Sequence, residues 1–352
     1  MFDKGIQNPF RRRCLLATLA GATTAIAIPP ALAAGPITGH SRRGAPTARQ
    51  LDPFADAARA IERLRAVVVM HAGDVIFAES FRGPAPTEAV NIKSVSKSVV
   101  AALVGCAIQQ GVVDDLDMTL DKVTPALLPE KVDPRVAALT LKDFITMRAG
   151  LERTSGPAYS RWVSSPDWLD YVLTRHFVDE PGSGMLYSTG NFHVLGAVLS
   201  TLTESSLHRI ARRWLGEPLD IDFAPWTRDP QGRFLGGNEM SLSPIAMARF
   251  GELYRRDGTW DDQRVLPESW VKDSFTPRSI SPWSNDGYGY GWFVRSMGDT
   301  LAGYARGYGG QMIHVLPTEQ LVVAITSDPT LPARGDGYVE QLHGLVETHL
   351  LG

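Results

Sequence analysis

A serine and a lysine three residues apart, Ser94 and Lys97, are the side chains in this sequence best placed for chemistry. Residues three apart on a helix lie on the same face, so these two side chains can touch. The residues that follow, 99–108, are apolar and uncharged, and a helix formed from them would leave the lysine poorly solvated. Poor solvation lowers the pKa of a lysine, and its free amine can accept a serine proton. The pair therefore predicts a nucleophile and its base.

The same spacing occurs a second time, at Ser269 and Lys272, and provides an internal comparison. Pro267 opens this second segment and Asp273 ends it, which is typical of a short, partly exposed helix. A lysine in such a helix stays solvated and charged, so we predict no chemistry there. The pattern by itself does not separate a catalytic Ser94 from an ordinary helix start.

The first 33 residues have the pattern of an export signal. Three arginines at 11–13 precede an uncharged segment, 14–28, and a small-residue cleavage site ends near Ala33. We predict a signal peptide over residues 1–33, and its adjacent arginines are similar to those of twin-arginine signals. A general secretory signal and an uncleaved anchor are the alternatives, although the apolar run is short for a membrane span. The expected location is the periplasm or the exterior.

The composition is that of a soluble globular protein, with 352 residues, 44% of them hydrophobic and 21% charged. Removing residues 1–33 would take away four positive charges and one negative charge, and would change the formal net charge from −3 to −6. An acidic protein of this kind is not expected to bind nucleic acid or an anionic membrane. Cys106 would be the one cysteine left after Cys14, so no internal disulfide is expected, and we predict that it fills the core.

Residues 34–52 are rich in Gly, Pro, Ser, Thr and Arg and predict a disordered leader, with order beginning near Pro53. Strand patterns occur near both ends of the remaining chain, a hairpin at 66–78 and several strands within 289–326. Helical patterns dominate about 110–240, including one helix from 162 to 176. We therefore predict one α+β domain over 53–352, with an antiparallel sheet of N- and C-terminal strands flanked by helices and an inserted, mainly helical lobe.

Five segments occur together in an order that resembles the serine β-lactamase and penicillin-binding-protein superfamily. The closest likeness is to its class C branch, with its family VIII esterase and 6-aminohexanoate-dimer hydrolase relatives. The segments are 91–98, 139–147, 187–191, 236–240 and 307–311. The resemblance implies a β-lactamase/transpeptidase-like fold. It also implies an exported serine hydrolase that cleaves a small-molecule amide or ester through an acyl-enzyme, without a metal or cofactor.

The resemblance also implies roles for particular residues. Ser94 would attack the carbonyl, and Lys97 and Tyr187 would act together on its proton. The backbone N–H groups of Ser94 and Gly310 would form the oxyanion hole. Tyr308 and Gly309 would contact the substrate.

Two positions depart from the family pattern. Thr189 stands where the family's Y-x-N motif has asparagine, and Asn191 is the candidate to replace it as a substrate-binding residue. The K-T-G motif appears as residues 307–309 without its lysine, and Arg306 is the candidate for the missing charge. A D-alanyl-D-alanine carboxypeptidase or true class C β-lactamase is therefore the second hypothesis. A binding or sensor protein that no longer turns over is the third.

Other hydrolase signatures, G-x-S-x-G and H-E-x-x-H among them, are absent from the sequence. We predict that His193 and His314 are core or rim residues and not bases. Several aromatic residues are candidates either for an acyl pocket or for ordinary packing: Trp162, Trp168, Tyr288, Tyr290 and Trp292. The sequence leaves open the acyl and leaving groups, the oligomeric state and the export route.

Overall fold

One antiparallel sheet of eight strands organises the protein in a computed structural model that describes residues 44–333 and 335–351. The strands follow in chain order as β1 (Leu64–His71), β2 (Asp74–Ser80), β3 (Val90–Asn91), β4 (Ser241–Leu242), β5 (Thr259–Trp260), β6 (Gln263–Arg264), β7 (Ser279–Ile280), β8 (Gly287–Tyr288), β9 (Phe293–Met297), β10 (Thr300–Gly307), β11 (Gln311–Leu316) and β12 (Leu321–Ser327). The large sheet has the order β2-β1-β12-β11-β10-β9-β8-β7, and the remaining strands form the pairs β3-β4 and β5-β6. The predicted signal peptide, 1–33, and residues 34–43 of the predicted leader lie outside the described residues.

The N- and C-terminal ends of the domain pair with each other in this sheet, where β1 and β12 are the second and third strands from one edge. Strand β1 pairs with β12, with Val67 opposite Ile325 and Val69 opposite Val323. Both strands are rich in β-branched residues, and β12 is buried along its whole length. Because neighbouring residues of a strand point to opposite faces, both faces of the sheet must be covered. The predicted α+β fold class is confirmed.

Helices cover both faces of the sheet, and nine of the α-helices that the structure describes lie in the chain between β3 and β4. They are α1 (Ala48–Ala60), α2 (Ser96–Gln109), α3 (Leu120–Val123), α4 (Pro134–Ala137), α5 (Leu141–Ile145), α6 (Tyr159–Val163), α7 (Trp168–Leu173), α8 (Thr189–Leu202), α9 (Leu207–Ala211), α10 (Glu217–Leu219), α11 (Pro244–Arg255), α12 (Glu268–Ser274) and α13 (Tyr338–Val346). Ile313 and Val315 of β11 pack against Gly251 of α11, whereas His314 between them contacts His343 of α13. Helices α11 and α13 therefore lie on opposite faces of the sheet.

Two sequence-based predictions need correction. Order begins before Pro53, because α1 starts at Ala48, within the predicted leader, with Thr47 and Gln50 capping its first turn and Pro53 tolerated inside it. The helix predicted over 162–176 is two helices, α6 and α7. Asp167 accepts the N–H groups of Leu169 and Asp170 and so starts α7 as a new helix. Within the described ranges, no helix has the length and apolar character that a membrane span requires.

Candidate active site

Ser94 lies in a single helical turn, Lys93–Val95, that leads directly into α2. Lys93 has a φ of +52°, a left-handed conformation that residues other than glycine adopt rarely. Its ammonium forms an ion pair with Glu239 at 3.2 Å, and its N–H donates to Asn91 Oδ1 at 2.9 Å. Asn91 in turn donates from Nδ2 to Glu239 at 2.5 Å. These contacts hold the strained turn that presents Ser94.

Lys97 lies one turn further along α2, in a helix that is almost entirely buried. Its ammonium nitrogen donates to Ser94 Oγ at 3.0 Å, to Thr189 Oγ1 at 3.1 Å and to the Gly237 carbonyl at 2.7 Å. Burial lowers the pKa of Lys97, and the neighbouring Tyr187 phenol offsets only part of this effect. An amine of lowered pKa at hydrogen-bond distance from a hydroxyl has the geometry of a general base.

Tyr187 is half-buried beside the same two groups, with its ring centre 5.0 Å from Lys97 Nζ. Burial raises the pKa of Tyr187, but the charge of Lys97, a hydrogen bond with Ser94 and the charge of Arg306 outweigh it, so the pKa lies below its ordinary value. A phenol whose pKa is lowered gives up its proton more readily and is better suited to pass one between its neighbours. The structure thus brings together Ser94, Lys97 and Tyr187, the three residues predicted to be catalytic.

Thr189, which stands in the place of the family's asparagine, is part of this cluster. Its hydroxyl contacts Lys97 Nζ and also lies 2.8 Å from Ser155 Oγ. Asn191, predicted to bind substrate, lies elsewhere: it is buried within α8, and its Nδ2 donates to the Phe144 carbonyl at 3.4 Å. The helix starting at Thr189 turns Asn191 away from Ser94, so Thr189 is the residue at the site.

The hairpin between β10 and β11 does not place the predicted oxyanion donor at the site. Gly310 donates its N–H to the Gly307 carbonyl at 3.2 Å and packs against Tyr338 of α13. The part of the hairpin that comes close to the turn of Ser94 is Gly307, which precedes Gly310 in the chain. A Cβ on Gly307 would lie 2.4 Å from the Ile92 carbonyl, so only glycine allows this approach. Gly307 and Tyr308 line the cavity in front of Ser94, whereas neither Gly309 nor Gly310 is among its lining residues.

The cavity in front of Ser94 has a volume of about 620 Å³. Two arginines, Arg153 and Arg306, lie on its wall, and among the described residues neither has a carboxylate within ion-pair distance. Each guanidinium lies over an aromatic ring, Arg153 over Trp283 at 5.3 Å and Arg306 over Phe293 at 5.2 Å. The same two rings contact the ring of Tyr187. The cavity therefore offers positive charge close to Ser94, Lys97 and Tyr187.

Sequence reasoning missed Arg153 and Trp283, because both reach the cavity from loops that carry no motif. The five aromatic residues considered for an acyl pocket are all buried away from it, which leaves the packing alternative for each of them. The second S-x-x-K pair behaves as expected, since Ser269 and Lys272 are both exposed on α12. Cys106 is buried, as predicted, and burial raises the pKa of its thiol.

Within residues 44–333 and 335–351, no three His, Cys, Asp or Glu side chains come together as a metal site requires. His193 is fully buried beside Asp229, and His314 is fully buried beside His343. Neither histidine lines the cavity, in line with their predicted core positions.

Comparison with known proteins gives a family and several similar folds. The family model described as Beta-lactamase matches residues 57–345. No curated protein matches the chain significantly.

Three solved structures illustrate the likeness of fold. A Bacillus anthracis protein provisionally named a 6-aminohexanoate-dimer hydrolase is 18% identical with a TM-score of 0.68, over 85% of this chain and 80% of its own. EstCE1, a hydrolase with promiscuous acyltransferase activity, is 18% identical with a TM-score of 0.69, over 85% and 98%. A D-stereospecific amidohydrolase from Streptomyces sp. is 18% identical with a TM-score of 0.62, over 80% and 94%. At these identities the likeness is one of fold.

Proposed function

Because the chain belongs to the beta-lactamase family, we propose that it is a serine hydrolase that cleaves an amide or ester through an acyl-enzyme on Ser94. The observation that carries the proposal is the contact of Ser94 Oγ with Lys97 Nζ at 3.0 Å, in a buried site that lowers the lysine pKa. The amidohydrolase and EstCE1 folds support amide or ester cleavage as the class of reaction.

In the proposed mechanism, Lys97 and Tyr187 together accept the Ser94 proton while Oγ attacks the substrate carbonyl carbon. The phenol of Tyr187 then donates a proton to the leaving nitrogen or oxygen as its bond to carbon breaks, leaving the acyl group on Ser94. A water molecule then attacks the acyl carbon while the same pair takes a proton from it. The bond from the acyl carbon to Ser94 Oγ breaks, the carboxylic acid leaves, and Oγ takes the proton back. The lowered pKa values of Lys97 and Tyr187 suit both directions of proton transfer.

We place the oxyanion donors at the backbone N–H groups of Ser94 and Tyr308. Tyr308 follows Gly307, whose close approach to the Ile92 carbonyl brings this strand end against the turn that carries Ser94. Gly310 is not suited to this role because its N–H is already donated to Gly307. Two N–H groups aimed at the same carbonyl oxygen stabilise the charge that develops there in the transition state.

The substrates that fit this cavity best carry an anionic group, because Arg153 and Arg306 lie on its wall without carboxylate partners among the described residues. Arg306 adjoins Gly307 on β10, in the region where the family places the K-T-G lysine. D-alanyl-D-alanine carboxypeptidase or β-lactamase activity is the second hypothesis, and this cation is the observation that favours it. Without the motif's lysine and threonine, we expect reaction with penicillins to be slow or absent.

The decisive experiment is intact-protein mass spectrometry after exposure to a fluorophosphonate probe. The wild type should gain one adduct, Ser94→Ala should gain none, and the matched control Ser269→Ala should label like the wild type. Labelling of Ser94→Ala, or no labelling of the wild type, would overturn the proposed nucleophile. A panel of short-chain esters, amide dimers and a chromogenic cephalosporin then identifies the substrate class, and an acyl adduct that forms but never hydrolyses would indicate a sensor protein.

We also propose that the protein is exported to the periplasm or beyond, on the strength of the three arginines and the uncharged segment within residues 1–33. Cell fractionation of the full chain, beside a variant with Arg12 and Arg13 changed to lysine, tests this. Retention of the lysine variant in the cytoplasm would support the twin-arginine route. Wild-type protein that accumulates in the cytoplasm with residues 1–33 intact would contradict export.

A further inference from the structure

A buried histidine and aspartate lie behind Lys97, outside the cavity. His193 of α8 is fully buried, and its Nε2 lies 3.2 Å from Asp229 Oδ2. The side chain of Asp229 is also fully buried, its Oδ1 accepts the Arg233 backbone N–H at 2.7 Å, and the Arg233 guanidinium lies 3.6 Å from its Oδ2. The rings of Trp162 and Trp168 pack on the imidazole. Asp229 and Arg233 are therefore the charged groups that face His193 among the described residues.

The other nitrogen of the imidazole contacts the backbone next to the catalytic lysine. Gly236 donates its N–H to His193 Nδ1 at 3.4 Å. Because a backbone N–H can only donate, Nδ1 must be the unprotonated nitrogen, and the ring hydrogen must be on Nε2, where it is donated to Asp229. Burial raises the pKa of Asp229, but the bonds from His193 and Arg233 outweigh it and keep the carboxylate ionised.

The residue after Gly236 supplies an acceptor to Lys97. The Gly237 carbonyl accepts a hydrogen bond from Lys97 Nζ at 2.7 Å, shorter than the other two bonds of that nitrogen. Gly236 and Gly237 both pack tightly on α8. A Cβ on Gly236 would lie 2.2 Å from the Phe192 carbonyl, and one on Gly237 would lie 2.8 Å from Phe192 Cβ. The position of the Gly237 carbonyl is thus tied to α8 and to the bond from His193.

The Gly237 carbonyl limits the hydrogen bonds that the neutral form of Lys97 can make. A neutral amine has two N–H groups and one lone pair. A carbonyl oxygen can only accept, so Gly237 must take one N–H, whereas the hydroxyls of Thr189 and Ser94 can either donate or accept. With one N–H fixed on Gly237, the other N–H and the lone pair face the two hydroxyls, and the lone pair faces Ser94 when Thr189 accepts the second N–H.

We propose that the Asp229–His193 pair is a positioning element for catalysis, which holds the Gly236–Gly237 backbone so that its carbonyl directs the Lys97 lone pair at Ser94. The inference rests on the proposed function, since it assigns Lys97 the part of a base. Asp229 fixes the tautomer of the His193 imidazole, and the imidazole holds the Gly236 N–H in place. The carbonyl of the next residue, Gly237, then orients the Lys97 amine. His193 itself touches no reacting atom.

The test follows the pKa of Lys97 directly, by NMR of protein labelled with ¹³C and ¹⁵N at its lysines, of which the sequence has seven. The variants are His193→Leu, which removes the acceptor for Gly236, and His193→Asn, whose Oδ1 can replace Nδ1. His314→Leu is the matched control, because it removes another fully buried imidazole, on β11. The rate of fluorophosphonate labelling is measured against pH for the same proteins.

In His193→Leu we expect the Lys97 pKa and the acid limb of the labelling profile to move down by about 0.5–1 unit. When the carbonyl moves away, the charged ammonium form of Lys97 loses more hydrogen-bond stabilisation than the neutral amine, so the pKa falls. A hydrogen bond to a charged group contributes about 1.5–3 kcal/mol, which corresponds to about 1–2 pKa units if the bond is lost completely. The plateau rate should fall about tenfold, with little change in probe affinity. His193→Asn should recover most of both effects, and His314→Leu should show neither.

A folded His193→Leu protein with an unchanged Lys97 pKa and labelling profile would overturn the inference and leave His193 a purely structural residue. If that variant does not fold, Asp229→Asn, which removes the charge that fixes the tautomer, must show a shift in the same direction, and an unchanged Lys97 pKa there overturns the inference equally. A wild type that never labels would contradict the proposed function alone, because the NMR titration still measures whether His193 controls Lys97.

Discussion

Replacing Gly307 by alanine would separate the end of β10 from the turn that carries Ser94. The new Cβ would lie 2.4 Å from the Ile92 carbonyl oxygen and 3.0 Å from Lys93 Cβ. The first contact is with backbone, which cannot rotate away as a long side chain can. The strand must therefore retreat by about 1 Å to reach an ordinary contact distance.

That retreat would move the N–H of Tyr308 away from the oxygen on which charge develops. Loss of one oxyanion donor costs about 10²–10³-fold in kcat, which corresponds to about 2.7–4 kcal/mol, and a misplacement of about 1 Å has an effect of similar size. We expect kcat for any accepted ester to fall in this range in Gly307→Ala. KM should change little, because the donor acts mainly in the transition state.

Steady-state kinetics on the wild type and Gly307→Ala measure this, with Gly344→Ala as the control. Gly344 lies in α13, and a Cβ there would have no heavy atom within 4 Å. The control should keep full activity and gain slightly in stability, since alanine favours helix over glycine. A folded Gly307→Ala enzyme with wild-type kcat would refute the placement of Tyr308 as an oxyanion donor.

Two further expectations concern pH and charge. Burial lowers the pKa of His314 to about 3 and lowers that of its partner His343 as well. At a pH between these lowered pKa values and about 6.5, each histidine is protonated in the unfolded chain but neutral in the folded protein. The free energy of unfolding should therefore fall as the pH drops below 6.5, by about 1.4 kcal/mol per pH unit for each histidine. Urea denaturation from pH 7 to 4 should show about half of this dependence in His314→Phe, and an identical slope would contradict the assignment. Arg306→Gln should raise KM about 10–100-fold for an ester that carries a carboxylate, because a charge-assisted hydrogen bond is lost. KM for a neutral ester of the same size should change little. Equal effects on both esters would argue against carboxylate recognition.

Local patterns in the sequence were sufficient to predict most of the fold. The valine-rich strand near residue 67 and the apolar strand ending at Thr326 both predicted burial, and they pair with each other inside the sheet. Helix boundaries were less well determined, because they depend on single capping contacts. Asp167 divides the segment 162–176 into two helices by accepting two backbone N–H groups, which no apolar period reveals.

Residue spacing and apolar context were enough to predict the contact between Ser94 and Lys97. The spacing of Ser94 and Lys97, with an apolar helix behind them, was sufficient to predict a buried lysine in contact with a serine. The exposed pair at Ser269 and Lys272 has the same spacing but lacks that apolar context, and the sequence distinguished the two for this reason.

The distant residues that complete the site became visible in the folded structure alone. Thr189 and not Asn191 contacts Lys97, because successive residues of a helix point in different directions. Gly307 and not Gly310 approaches Ser94, because the hairpin bends at a point that the run of glycines does not specify. Arg153 enters from a loop without a motif, since a long side chain can reach a cavity from many backbone positions. Such contacts are set by the three-dimensional path of the chain, and residue spacing constrains them only within one element.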